Sequence, residues 1–430
     1  MVAKRLTILV APMEGVGHVN ACIGLAQVLQ SRGHRIVFVA DQSFEGLLSP
    51  YGFTEEILAS EEKDKLPGEV MAKVLLESGF LSGASPMEKL KVGQNMKFAE
   101  ILVNKMRANE PKLQAIVAKY NPDLYVIDDF IGSPTLIHSN KPWVYMFSGN
   151  PLFVLRDDKT PPGGSGFATN GDRSDWKAFR ELSDKEFSKM NVHYNKWMTD
   201  EGLPTVPMDG TLLTSPHLNI YGYPEELDYT DVRPLPDRWL RVDAFMRNGE
   251  QEFAIPDKFL DRDPQKSKLI YLSMGSMGSV DVNLMKRFVA ILSKSEHKFI
   301  VSKGVLGDSY ELADNMWGQK SVPQTKVVPI VSLVITHGGN NSVTETFSYG
   351  KPMIVMPLFG DQYDNAQRVQ EKGFGIRLNP YECTERELLT AIDSLLNDKD
   401  MNERLAVASK RMLSSHSIHR VSEVIESLVK

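Results

Sequence analysis

At 430 residues, with 42% apolar and 24% charged side chains, the chain has the make-up of a globular protein of about two domains, not of a disordered one. A formal net charge of −6 gives no basis for nucleic-acid or anionic-membrane binding. The two cysteines, Cys22 and Cys383, lie in opposite halves, which argues against a disulfide framework and for a reducing compartment.

No apolar run reaches the roughly 20 residues of a membrane helix, and residues 6–11 are too short for a secretory leader, so a cytoplasmic, membrane-free location is expected. The first half alternates apolar strands with helices. Residues 6–10 read as a buried strand, 19–32 as a helix closed by Gly33, 35–40 as a strand ending at Asp41, and 95–119 as a long helix. Two short strands follow at 124–127 and 143–147. Such alternation implies a parallel sheet covered on both faces. Residues 60–92 and 151–215 break the rhythm, and the second stretch, with its Pro161-Pro162-Gly163-Gly164-Ser165-Gly166 loop, reads as a lid or variable insertion.

A polar, proline-containing linker is expected at 246–264, after a first domain of 1–245. A second α/β unit at 265–410 opens with a strand at 269–274, a Gly275-Ser276-Met277-Gly278-Ser279 turn and a helix at 282–293. Thr384 and Glu387 form a capping-box pattern, and helices fill 401–430. The fold class is therefore α/β, with two Rossmann-like doubly wound domains facing a cleft between the carboxyl ends of their strands.

The densest chemistry runs from His337 to Gln362. An apolar strand feeds His337-Gly338-Gly339, a helix opens on Asn340-Asn341-Ser342 with Glu345 one turn on, and the next strand ends in Pro357 and Asp361-Gln362. A helix that starts on glycines presents free N–H groups and a positive dipole end, which suit a phosphate. Acceptors and donors at the next strand end suit hydroxyls, and phosphate with sugar points to a nucleotide sugar. Ser342 and Glu345 alone also fit a capping box. His18, after Gly15-Val16-Gly17, stands at the mouth of the first strand, and Asp128-Asp129 ends a neighbouring one. A histidine held by a carboxylate is a general base.

Other patterns weigh less. Gly15-x-Gly17 lacks the third glycine of a dinucleotide fingerprint, having Asn20 there. Asp261-Arg262-Asp263 and Asp398-Lys399-Asp400 lie in charged surface stretches, and His416 and His419 have no third ligand nearby, so no metal is expected.

The segment from Val322-Pro323-Gln324 to Gln362 resembles the family 1 UDP-glycosyltransferases of GT-B fold, with the likeness nearest to the soluble enzymes of herbivorous mites. The matching positions are Pro323, Gln324, His337, Gly338, Gly339, Asn341, Ser342, Glu345, Pro357, Gly360, Asp361 and Gln362, and the Gly17-His18 and Gly275-Ser276 turns fall in family order. The resemblance implies a donor site of Gly17, Gly275, Ser276, Val322, Pro323, Gln324, His337, Gly339, Asn340, Asn341, Ser342, Glu345, Asp361 and Gln362. It implies a His18–Asp128 catalytic pair, with Asp129 the lesser candidate, and C-terminal helices, 411–430, that pack back on the first domain. A UDP-sugar, by default UDP-glucose, would be co-substrate, with no prosthetic group. The tryptophan that many members stack on uracil is Ser321 here, with Trp317 upstream.

The implied reaction is inverting, metal-independent transfer of a hexose to a small lipophilic acceptor such as a flavonoid, plant defence compound or other xenobiotic. Phe130, Phe147, Asn150 and Phe153 follow the first-domain strands and are candidates for the acceptor pocket. A nucleotide-sugar epimerase of the same fold and a non-catalytic binder remain as rivals.

Overall fold

Strands buried on both faces need helices above and below, and both halves of the chain solve that requirement in the same way. In a computed structural model of the protein, the described residues are 4–429 except 59–66, 68, 94–96, 211 and 250–252. The N-terminal domain holds β1 (Thr7–Pro12), α1 (Val16–Ser31), β2 (Arg35–Asp41), β3 (Thr54–Leu58), α2 (Glu69–Glu77), α3 (Pro86–Gly93), α4 (Phe98–Tyr120), β4 (Leu124–Asp128), α5 (Pro134–Ile137), β5 (Trp143–Phe147), α6 (Arg173–Asp200), β6 (Leu218–Gly222) and β7 (Trp239–Val242). Its parallel sheet has the order β3-β2-β1-β4-β5-β6-β7. The expected start of the long helix at residue 95 falls outside the described residues.

After α7 (Asp257–Leu260) the C-terminal domain runs β8 (Leu269–Ser273), α8 (Gly275–Gly278), α9 (Val282–Leu292), β9 (Lys298–Ser302), β10 (Met316–Gln319), α10 (Gln324–Val327), β11 (Leu333–Thr336), α11 (Asn340–Ser348), β12 (Met353–Val355), α12 (Gln362–Glu371), β13 (Gly375–Arg377), α13 (Glu385–Asn397), α14 (Lys399–Leu413) and α15 (Ser417–Ser427). Its parallel sheet has the order β10-β9-β8-β11-β12-β13. The Thr384–Glu387 capping box forms as its sequence implies. The Ser342–Glu345 pair does not: Gly339 caps α11, and Ser342 instead bonds Gln324.

The insertion expected at 151–215 is largely α6. Its buried Trp176, Phe179, Ser183, Met190, Tyr194 and Trp197 recur at helical spacing and pack across α4. The proline–glycine loop before it docks on the other domain, where Asp364 accepts from the amides of Gly164 at 2.6 Å and Gly166 at 2.9 Å. β3, β10 and β13 are short sheet-edge or near-edge strands with little apolar signal, which is why their sequences do not announce them.

The last helix crosses back to the first domain. Val421 and Ile425 of α15 join the core around α1 and β2, and Glu426 pairs with Arg32 at 2.5 Å and His34 at 2.9 Å. Among the described residues, no helix is long and apolar enough to cross a membrane.

Candidate active site

In each sheet the strand order reverses beside the first strand, and the crevice at such a reversal is where ligands of open α/β sheets bind. In the first domain the reversal lies between β1 and β4, with Pro12 in register with Asp128. The turn after β1 carries His18 into the first turn of α1, and Asp128 closes β4. Imidazole Nδ1 lies 3.0 Å from Asp128 Oδ2 and 2.9 Å from Ser148 Oγ. The second Asp128 oxygen accepts from the Ser148 amide at 3.3 Å, and Asp128 is fully buried. An Nδ1–H that donates to Asp128 leaves Nε2 as the acceptor. Burial works against the imidazolium, but the charge of Asp128 and its hydrogen bond outweigh it, and the His18 pKa rises above its ordinary value. Asp129 takes no hydrogen bond from His18; it accepts from the Phe130 amide, and burial pushes its carboxyl up to about 7.

In the second domain the reversal lies between β8 and β11, with Ser273 in register with Thr336. Gly275 follows β8 and His337 follows β11. Gly275 has φ +70°, and a Cβ there would sit 2.6 Å from the His337 ring; a Cβ at Gly339 would sit 2.5 Å from the same ring. Two glycines are therefore needed to seat this imidazole. Burial lowers its pKa to about 4, so His337 is a neutral hydrogen-bonding group near pH 7 rather than a cation. Beyond it α11 begins at Asn340, with Gly339 as N-cap and no side-chain cap, so its first N–H groups lack an intrahelical partner.

The Glu345 carboxylate is buried and shared. Gln324 Nε2 donates to it at 2.6 Å and Arg247 at 2.7 Å. Val322 is buried, Pro323 caps α10, and Ser321 is exposed. Trp317 packs on Phe253 and Phe259, with ring centroids 6.3 Å and 6.5 Å away, so its ring is engaged by the segment between the domains.

The two crevices face each other at close quarters. Asn341 donates to the Gly17 carbonyl at 2.7 Å, and the Asn340 amide donates to the carbonyls of Ser148 at 3.0 Å and Gly222 at 2.9 Å. The Asn340 side chain thus serves the domain contact. Between the domains opens a cavity of about 590 Å³ that His18, Asp129, Phe130, Phe147, Phe153 and Asp361 help to line. Burial lifts the Asp361 carboxyl to about 6, against a hydrogen bond from the Asn150 amide at 2.9 Å.

Of the four acceptor candidates, Phe130, Phe147 and Phe153 line this cavity and Asn150 does not. Asn150 is fully buried, with its side chain bonded to Asn365 and to the Leu152 amide, so its place is behind Asp361. Gln362 is also turned inward, its carbonyl oxygen accepting from the amides of Leu358 at 2.9 Å and Phe359 at 3.2 Å. Ser276 stays half-buried beside Gly275. Ser148, Arg247 and Lys89 belong to the site without any sequence signal, because each reaches it from a segment with no motif. Among the described residues, no group of three or more His, Cys, Asp or Glu side chains is arranged to hold a metal ion.

Residues 265–417 match the family model described as UDP-glucoronosyl and UDP-glucosyl transferase. Over its full length the chain is 23% identical to the NDP-glycosyltransferase YjiC of Bacillus subtilis (strain 168), covering 99% of this chain and 98% of that protein. The glycotransferase of kitacinnamycin superposes with a TM-score of 0.72 at 18% identity, covering 99% of this chain and 100% of that one. The glycosyltransferase VinC, solved in complex with DTDP, superposes with a TM-score of 0.68 at 16% identity, covering 99% of each chain. The two facing parallel-sheet domains thus share the fold of these solved glycosyltransferases, and the C-terminal segment 265–417 is similar to the UDP-glucoronosyl and UDP-glucosyl transferases.

Proposed function

We propose that this enzyme transfers a hexose, by default glucose, from a UDP-sugar to a hydroxyl of a small lipophilic acceptor with inversion at the anomeric carbon, without a metal ion. The observation that carries this reading is His18, held by buried Asp128 at 3.0 Å, on the wall of a cavity that also reaches Asp361. The acceptor hydroxyl gives its proton to His18 Nε2 while its oxygen attacks the anomeric carbon. The bond from that carbon to the β-phosphate oxygen breaks as UDP leaves from the opposite face. Asp128 holds the ring and stabilises the imidazolium that forms, as a carboxylate does in a hydrolase triad.

A transition state of oxocarbenium character is lowered by in-line placement and by stabilising the departing diphosphate. In this reading the α11 amides, neutral His337 and Ser276 meet the diphosphate, Glu345 and Gln324 the ribose, and Asp361 and Gln362 the sugar. VinC binds DTDP, which fits a nucleoside-diphosphate donor here. Residues 1–245 are assigned to acceptor binding, 265–410 to the donor, and 246–264 to the linker between them.

The aromatic lining of Phe130, Phe147 and Phe153 supports a flat, apolar acceptor such as a flavonoid or another xenobiotic phenol, and with it a detoxifying role in the cytoplasm. Mass spectrometry of a reaction containing UDP-glucose and a mixed phenol panel tests the reading. A product heavier by one hexosyl residue is expected, and silence across the panel would end the acceptor assignment. UDP release measured with and without acceptor separates transfer from epimerisation and from simple binding, since only transfer depends on acceptor.

A further inference from the structure

Among the described residues, the cavity wall carries one buried lysine met only by neutral groups. Lys89, on α3, is 3% exposed and lines the cavity. Its ammonium donates to the Leu358 carbonyl of the other domain at 2.5 Å and lies 5.6 Å from the centre of the Tyr363 ring. The other cavity lysines have carboxylates: Lys105 pairs with Glu14 and with Asp41, and Lys189 with Glu186. Lys89 has no carboxylate within ion-pair distance among the described residues, and burial alone pulls its pKa down to about 8. In such a setting an ammonium without a carboxylate partner is costly.

Leu75, Phe80 and Leu90 from the first domain and Phe359 from the second line the same cavity, while its carboxylates include Asp129 and Asp361 near His18 and Glu14, Asp41 and Glu186 on the other two lysines. A charge held at the wall of an apolar chamber open to small molecules is completed by an anionic group on what enters it. The contact with Leu358 uses one of the three ammonium N–H groups and leaves two for that partner.

We propose that Lys89 receives the carboxylate of a substrate bound in this cavity, so that the enzyme prefers an acid with an apolar body over its neutral counterpart. The proposal rests on the transfer reading above and narrows its substrate class. Leu358 and Tyr363 flank Asp361 in the chain, so acceptor and sugar share this wall. The carboxylate belongs either to a hydroxy-acid acceptor or to C6 of a hexuronosyl donor.

Calorimetric titration of the full chain with 4-(4-hydroxyphenyl)butanoate and with its methyl ester, without donor, reads binding. Transfer assays then pair UDP-glucose with both acceptors, and UDP-glucuronate with the ester. In Lys89→Met the preference for the carboxylate-bearing substrate should fall about 10- to 100-fold, the range of a hydrogen bond to a charged group, and Lys89→Arg should recover part of it. A loss confined to acid against ester assigns the carboxylate to the acceptor; a loss confined to UDP-glucuronate against UDP-glucose assigns it to the sugar. If acid and ester, and both donors, decline together in Lys89→Met, the lysine only holds the domains closed and the proposal is overturned. Acid-selective binding without any transfer would remove the transferase reading and leave the Lys89 site standing. Robust transfer with no acid preference would do the reverse.

Discussion

Arg247, in the segment between the domains, donates to Glu345 of α11 at 2.7 Å, and the two side chains are almost completely buried. A buried pair of this kind contributes little against an apolar substitute, yet removing one partner strands the other charge. Arg247→Met is therefore expected to lower stability by about 3 kcal/mol. The double variant Arg247→Met, Glu345→Gln should recover most of that loss. Urea unfolding of the single and double variants checks it, and equal losses in both would show that the pair does not act as a unit.

The His18–Asp128 pair sets the second expectation. His18→Ala should reduce kcat about 10²–10⁴-fold, the usual worth of a general base, with a smaller change in the KM for the donor. Asp128→Asn should fall in the same direction by loss of ring orientation. Acceptor-dependent UDP release is the measurement. A His18→Ala enzyme within threefold of wild type would remove His18 from the chemistry.

The pH profile has a defined sign. The base acts as neutral imidazole, so kcat/KM for the acceptor should fall as pH drops through a pKa above the ordinary 6.5 of histidine. Burial by itself lowers that pKa and Asp128 raises it, so in Asp128→Asn the acidic limb should move to lower pH. A limb that stays in place, read from residual activity, would mean that Asp128 is not what holds the proton on His18.

Gly275 offers a test of the donor side. Alanine there must adopt φ +70° and place its Cβ 2.6 Å from the His337 ring, so the ring has to move. Strain of about 1–3 kcal/mol is expected in stability. UDP affinity, measured by calorimetry, should fall about tenfold or more, corresponding to about 1.4 kcal/mol of lost contact. Unchanged UDP affinity would place His337 outside the diphosphate site.

Asp364 latches the proline–glycine loop to the second domain through the amides of Gly164 and Gly166. Asp364→Ala leaves these donors without their carboxylate, at about 1–3 kcal/mol for each that stays buried. Faster proteolysis within 151–172 than in wild type is the expected result. Unaltered cleavage rates would show that the loop is held by its buried prolines instead.

Much of this was legible before any coordinates. The apolar runs marked β1, β2, β4, β5, β8, β11 and β12, whose central residues are buried on both faces and are mostly apolar. The glycines around His337 and the Asp128-Asp129 pair at a strand end stood out because their chemistry is local. Edge strands and α6 were harder to see. β13 has three residues, none fully buried, and α6 alternates its apolar stripe with many charges after a loop that reads as irregular.

By itself the chain marked two α/β domains, a glycine turn opening a helix at 337–345, and a histidine and an Asp-Asp pair each following an apolar strand, because each feature is local in sequence or follows a repeating burial pattern. The choice of Asp128 over Asp129 by hydrogen-bond geometry, the inward turn of Asn150 and Asn340, and the approach of Arg247 and Lys89 were decided only in three dimensions. Those contacts join residues 98 to 269 positions apart; His18–Asp128, at 110, is set within one sheet, and the others by how the two domains close on each other. No local pattern in the sequence carries that information.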